Sequence, residues 1–133
     1  MPFIRITVAK PLAARTKQDI ARGATDLIVA ILGKRREVTA VLVENIAIDG
    51  WSIGGEAIDG ADLTPVHAEI CITAGTNSAA EKAQMIASLQ ALLGNILGAT
   101  PAASYIVIRD LPADNWGYAG LTQAARRQMK TGL

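Results

Sequence analysis

The chain is poor in cysteine, in aromatic residues and in clustered charge, and each shortage excludes a class of protein. Cys71 is the only cysteine, so neither an internal disulfide nor a metal site built from several thiolates is available. The net charge is +1 and the longest basic run is 34–36, which argues against binding nucleic acid through its phosphates. No apolar stretch approaches the roughly 18 residues that span a bilayer, and the first residues do not form a signal peptide. We therefore expect a cytoplasmic protein without a metal, a membrane anchor or a nucleic-acid partner.

The chain does contain an internal repeat, and a repeat constrains the architecture more than any single motif does. A shift of 65 positions superposes 17–56 on 82–121 without a gap and brings the two tryptophans into register. Carried back to the start, the same shift places His67 opposite Pro2. We predict a single domain, 1–133, made of two repeats at about 1–58 and 66–121 and followed by a C-terminal tail, 122–133.

Each repeat has the pattern of a β-α-β unit. Apolar residues alternate along the first strand, whereas the helices show apolar residues at helical spacing. Thr16 and the capping box Ser78–Glu81 predict the helix starts, and Gly33 and Gly98 predict the ends. The remaining strands are predicted at 38–46, 66–73 and 105–109. The fold class is α+β, a tandem β-α-β repeat with a four-stranded sheet and both helices on one face.

The opposite face of that sheet is expected to be bare and strongly apolar. An uncovered apolar patch usually marks an interface, so we expect an oligomer whose sheets face one another. The residues assigned to this patch are Val41, Val43, Ile106 and Val107.

Three features together resemble the 4-oxalocrotonate tautomerase family. They are the Met-Pro start, the β-α-β unit and the arm Trp51–Gly55, which reads Trp-Ser-Ile-Gly-Gly. The duplicated length and the stretch 110–117 are similar to the fused, trimeric members, which include malonate semialdehyde decarboxylase and cis-3-chloroacrylic acid dehalogenase. The resemblance covers nearly the whole chain. It implies the tautomerase fold, a homotrimer, no cofactor and chemistry at the nitrogen of Pro2.

A proline at the start of the mature chain has the properties of a useful base. Without Met1, Pro2 carries a free secondary amine, and an α-amino group has a pKa near 8, far below that of lysine. An apolar surrounding disfavours the cation and lowers the pKa further, towards the working pH at which a general base transfers protons best. Pro2 could therefore move a proton between the carbon and the oxygen of an enol or keto acid. The simpler interpretation is that Pro2 only begins a strand.

A carboxylate-bearing substrate also needs cations, and the family's two arginine positions hold other residues here. Matched from Pro2 and Trp51, these positions hold Leu12 and Ala40. Lys10, at the end of the first strand, and Arg36, before the second, are the candidate replacements. The simpler interpretation of each is a solvated surface charge.

Two aromatic residues complete the predicted substrate site. Trp51 matches the family's pocket aromatic, although packing of the arm at a subunit contact would also explain it. Tyr105 is the second-repeat counterpart of Ala40 and could donate a hydrogen bond to a carbonyl, or serve as an interface ring. Trp116 and His67 are expected to be structural.

Three functions follow from these residues. The first is a tautomerase-like isomerase with Pro2 as general base on an enol or keto acid. The second is a proline-dependent dehalogenase or decarboxylase, in which Pro2 acts as a cation. The third is a non-catalytic trimeric relative, which the missing arginines would suit.

Overall fold

The computed structural model describes residues 1–58 and 62–130, so part of the join between the repeats, 59–61, lies outside the described residues. Two helices of equal length pack on one face of a four-stranded sheet, as the repeat predicts. The first repeat contains β1 (Phe3–Val8), α1 (Ala14–Leu32), β2 (Ala40–Asn45) and a hairpin of β3 (Ser52–Ile53) and β4 (Glu56–Ala57). The second contains β5 (Val66–Thr73), α2 (Ala79–Leu97), β6 (Tyr105–Leu111), a hairpin of β7 (Gly117–Tyr118) and β8 (Leu121–Thr122), and α3 (Gln123–Lys130).

The strands lie in the order β2-β1-β5-β6. Each repeat contributes one parallel pair, β1 with β2 and β5 with β6. The two repeats meet where β1 and β5 run antiparallel, with Phe3 opposite Cys71 and Val8 opposite Val66. The start of β1 therefore lies beside the end of β5, which decides how the functional residues are arranged.

The core lies between the helices and one face of the sheet. The buried residues of each helix recur every fourth position and match across the repeat: Ile20, Ala24, Ile28 and Leu32 in α1, and Met85, Leu89, Leu93 and Leu97 in α2. Alternate residues of β1 and β5 meet them with no exposed surface, which is the period of two that a half-buried strand requires. A methyl group on Gly23 would come within 2.8 Å of Leu92, so the two helices approach closely there.

The predicted helix ends were mostly right. The capping box of α2 is present, with Ser78 Oγ accepting from Glu81 N and Glu81 Oε1 accepting from Ser78 N. Gly33 ends α1 in the left-handed conformation with φ of 68°. The prediction for Thr16 was wrong, because α1 begins two residues earlier and its cap, Ala13, offers no side-chain acceptor.

The prediction of a strongly apolar open face was also wrong in its residues. Val41, Val43 and Ile106 pack against the core. The open face is carried by the alternate positions, and its centre is ionic: Arg5 pairs with Glu44 at 2.8 Å, and Arg109 pairs with Glu69 at 3.2 Å. Exposed apolar residues remain at its edges, namely Phe3, Leu42 and Tyr105, with Val107 on the same face.

The C-terminal tail contains more structure than the sequence indicated. After β8 the chain forms α3, whose first residue, Gln123, is buried and bonded through its backbone N–H to Trp116 O at 2.9 Å. Helices long and apolar enough to cross a bilayer are absent from the described part of the chain.

Candidate active site

Pro2 is buried immediately before β1. Its carbonyl accepts a hydrogen bond from Ala40 N at 3.3 Å, which ties the start of the chain to the start of β2. Pro2 lines a cavity of about 330 Å³ together with Val38, Ala40, Cys71 and Trp116. We call this space the proline cavity.

Topology explains why a residue of the second repeat reaches Pro2. β5 and β6 are parallel, so the end of β6 lies beside the end of β5, with Leu111 opposite Thr73. Because β5 is antiparallel to β1, that same edge also holds the start of β1. The chain that leaves β6 therefore brings Trp116 to Pro2. Trp116 Nε1 donates to the buried Thr73 Oγ1 at 3.2 Å, which fixes the indole in this position.

A second cavity adjoins the proline cavity and has a different chemical character. It has a volume of about 430 Å³ and is lined by Arg35, Arg126 and Arg127 with Thr73 and Thr76. We call it the arginine cavity. The two cavities share three wall residues, which are Met1, Tyr118 and Gln123.

Arg126 is held firmly against the wall between the two cavities. Its guanidinium carbon lies 3.8 Å from the centroid of the Tyr118 ring, a cation–π geometry, and one of its terminal nitrogens donates to Tyr118 O at 2.8 Å. The Nε of Arg126 is buried and has no hydrogen-bond partner. Within 1–58 and 62–130, neither Arg126 nor Arg127 has a carboxylate at ion-pair distance, whereas Arg35 pairs with Glu37 at 3.1 Å.

Two further groups near these cavities have perturbed pKa values. Burial raises the pKa of the Cys71 thiol, and the positive charge of Arg109 opposes this only in part, so the thiol remains neutral at neutral pH. Burial also lowers the pKa of Lys34, whose Nζ donates to Thr76 Oγ1 at 2.8 Å. Clusters of three or more potential metal-binding side chains of His, Cys, Asp or Glu are absent from the residues that the structure describes.

The other end of the sheet holds a third cavity, of about 340 Å³, at His67. Several of its wall residues are the repeat counterparts of residues in the proline cavity, at the same shift of 65. These counterparts are His67 for Pro2, Ala103 for Val38, Tyr105 for Ala40 and Trp51 for Trp116. We call it the histidine cavity. The fold thus builds the same kind of space twice, and only one copy contains the proline.

The residues predicted to bind substrate do not meet Pro2 within one chain. Trp51 and Tyr105 line the histidine cavity. Lys10 lines a different cavity beyond the end of β1, where its Nζ donates to Leu97 O at 3.2 Å. Arg36 is paired with Asp26 beside α1. Their role in substrate binding stays a prediction.

The residues that line the proline cavity and the arginine cavity were mostly missed or assigned another role. Trp116 was expected to be structural, and Tyr118, Gln123, Arg126 and Arg127 were not singled out. The available signal was the stretch 123–130, Gln-Ala-Ala-Arg-Arg-Gln-Met-Lys, which is rich in helix-forming residues and basic in a chain of low net charge.

Comparison with known proteins agrees with this architecture. A family model described as tautomerase enzyme matches residues 2–60 and again 67–126, one match for each repeat. The chain therefore belongs to the tautomerase family of enzymes, as the resemblance of its sequence indicated.

The most informative relatives are single-repeat and fused proteins of the same kind. Probable tautomerase K2 of Dickeya dadantii is 37% identical over 59 residues, which is 44% of this chain and 88% of the relative. A probable tautomerase of Helicobacter pylori is 31% identical over 61 residues, 44% of this chain and 90% of that one. Each curated relative thus corresponds to one repeat.

Solved structures match over the length of both repeats. A symmetric trimer of the wild-type Q0 fused 4-OT has a TM-score of 0.82 at 20% identity, covering 93% of this chain and 98% of that one. The protein Pt0534, inactivated by 2-oxo-3-pentynoate, has a TM-score of 0.81 at 17% identity with the same coverage. These structures share the fold with this chain.

Proposed function

We propose that the protein is an isomerase in which Pro2, freed by removal of Met1, is the general base that interconverts an enol acid and its keto form. The observation that carries the proposal is the position of Pro2, buried where an apolar cavity meets a cationic one. Met1 lines both cavities, so its loss would open them to each other at the nitrogen of Pro2.

The reaction needs only a proton carrier. The neutral amine of Pro2 takes the proton of the enol hydroxyl, which leaves an enolate. The oxygen's electron pair then forms the carbonyl as the electrons of the carbon–carbon double bond take the same proton from the protonated amine at carbon. Atoms and charge balance, with no oxidation and no cofactor. The apolar walls, Val38, Ala40 and Trp116, favour the neutral amine because they disfavour its cation.

We further propose that the active form is a homotrimer in the cytoplasm. Fused 4-OT structures of the same fold are described as trimers, and exposed apolar residues at the edges of the open face are available for contacts between subunits. Lys10, Arg36, Trp51 and Tyr105 remain candidate substrate-binding residues. Within the chain they line other cavities, so they would reach a substrate bound at Pro2 only from a neighbouring subunit. Light scattering of the purified protein tests the trimer.

The test of the function compares untagged wild type with the Pro2→Ala variant, after intact mass has established the first residue of each. We expect the wild type to lack Met1 and to convert phenylenolpyruvate to phenylpyruvate. We expect Pro2→Ala to lower kcat/KM by about 100-fold, since general bases contribute roughly 10²- to 10⁴-fold. Circular dichroism checks that the variant is folded.

A chemical probe tests the same nitrogen independently. 2-Oxo-3-pentynoate, which inactivated Pt0534, is an electrophile that a free amine can attack. We expect one adduct per chain, located on Pro2 by peptide mapping, and no adduct on Pro2 in a form that keeps Met1. Equal activity of wild type and Pro2→Ala would remove the base role, and inactivity of both with no labelling would favour a non-catalytic relative.

A further inference from the structure

The two cavities that meet at Met1 differ in electrical character. The proline cavity is walled by Val38, Ala40, Cys71 and Trp116, and no charged side chain lines it among the described residues. The arginine cavity contains three guanidinium groups and, within the same described ranges, no carboxylate. The joined space therefore has one end for an anion and one end for an apolar group.

The cationic end is built by α3, with Arg126 in a fixed position. Stacking on the Tyr118 ring and the bond to Tyr118 O hold its guanidinium, and a planar guanidinium held in place suits a carboxylate because the two groups form paired hydrogen bonds. Its charge is not balanced by any described carboxylate, and its Nε lacks an acceptor. Such a cation is better satisfied when an anion enters the cavity.

The apolar end excludes a second charge. Ala40 stands in the wall beside Pro2, and the described residues of the same chain that line this cavity offer no cation to a second carboxylate. Placing an ion there without a partner is costly. We infer that the substrate is a monocarboxylic 2-keto or enol acid, whose carboxylate binds at Arg126 and Arg127 and whose apolar body lies against Trp116 and Ala40. This inference rests on the proposed function in taking Pro2 as the reacting group between the two ends.

The first experiment measures binding rather than turnover, so that it does not depend on the chemistry of Pro2. Calorimetry on the Met1-free Pro2→Ala variant, with phenylpyruvate as probe, gives a reference Kd. We expect Arg126→Ala in that background to weaken binding by about 10- to 100-fold, the range for loss of a charge-assisted hydrogen bond. The methyl ester of phenylpyruvate should bind weakly and be insensitive to the substitution.

Two further variants guard against a merely structural effect. Arg15, an exposed residue of α1 that pairs with Asp19, provides a matched loss of positive charge away from the site, and Arg15→Ala should leave the Kd unchanged. Arg126→Lys keeps the charge but not the planar fork, so binding should fall between wild type and Arg126→Ala. Unchanged affinity in Arg126→Ala, or an equal loss for acid and ester, would overturn the assignment of the carboxylate site.

The second experiment places a positive charge in the proline cavity, which is the apolar end of the joined space. Ala40→Arg adds a cation to the proline cavity, and Ala40→Leu adds bulk without charge. We expect wild type to bind phenylpyruvate at least tenfold more tightly than the dicarboxylate 2-oxoadipate, Ala40→Arg to reverse this preference, and Ala40→Leu not to. A wild type that binds the diacid as tightly as the monoacid sinks the inference. If phenylpyruvate binds as expected but Pro2→Ala is as active as wild type, the proposed function is rejected and the inference about the carboxylate site is not.

Discussion

Replacing Trp116 by alanine should change the chemistry of Pro2, and replacing its repeat counterpart, Trp51, should not. Trp116 is a partly buried wall of the proline cavity and donates to Thr73 at 3.2 Å, whereas Trp51 lines the histidine cavity at the far end of the sheet. The two variants remove the same side chain from equivalent places in the repeat. Each is therefore the control for the other.

The expected size of the effect follows from these contacts. A fully buried tryptophan costs about 3–5 kcal/mol when truncated, and Trp116 is only partly covered, so we expect about 2–3 kcal/mol less free energy of unfolding, including the lost hydrogen bond. Water admitted to the cavity would let the pKa of the Pro2 amine rise towards about 8, the ordinary value for an α-amino group. A larger protonated fraction then lowers the rate, and the loss approaches tenfold for each unit of pKa only at pH values well below the pKa.

The assay is the dependence of kcat/KM on pH with phenylenolpyruvate, beside urea unfolding of each variant. We expect the acid limb of the profile to move to higher pH in Trp116→Ala and to stay in place in Trp51→Ala, while both variants lose stability. The reasoning would be refuted if the acid limb of the profile moved in Trp51→Ala and stayed in place in Trp116→Ala. That result would mean that the segment carrying Trp51, and not the one carrying Trp116, forms the wall beside Pro2.

Three further predictions concern the β7–β8 hairpin and the cap of α2. Gly117→Ala should disrupt the β7–β8 hairpin and abolish most activity, since the new methyl group would collide with the backbone carbonyl oxygen of Leu121. Activity and near-ultraviolet circular dichroism test this, and an active, natively folded variant would contradict it. Ser78→Ala should lower the free energy of unfolding by about 1 kcal/mol through loss of the cap of α2, and an unchanged urea midpoint would contradict this. The hydrogen bond from the backbone N–H of Ser78 lowers the pKa of Glu81 in the folded protein. The stability that this carboxylate contributes is therefore fully present above its ordinary pKa and is lost as the pH falls through the lowered pKa of the folded state. Glu81→Gln should therefore destabilise the protein at neutral pH but not in strong acid, and a difference that persists in acid would count against the capping box.

Much of the fold could be predicted from the sequence because burial recurs at the repeat distance. Ile20 and Met85, like Leu32 and Leu97, occupy matching buried positions in the two helices. The second strand was harder to interpret. Residues on both its faces are apolar, as Val41 and Leu42 illustrate, so alternation could not tell the core face from the open one.

The candidate active site was harder to predict than the fold for a topological reason. A repeat specifies what each half contains but not the direction in which the halves join. The antiparallel pairing of β1 with β5 brings the arm of the second repeat, with Trp116, to Pro2 and sends Trp51 to His67. The arginines of α3 were missed because that helix is short and polar and lacks the long apolar stripe from which an amphipathic helix is predicted.

Because Trp116 of the second repeat lies beside Pro2 of the first, and Trp51 of the first lies beside His67 of the second, the halves of this chain depend on each other. The proline lies on the first β-α-β unit, whereas Trp116 of the proline cavity and Arg126 and Arg127 of the adjoining arginine cavity lie on the second. A chain severed within the join would leave Pro2 on one fragment and Trp116, Arg126 and Arg127 on the other. Covalent fusion keeps these complementary parts at high effective concentration.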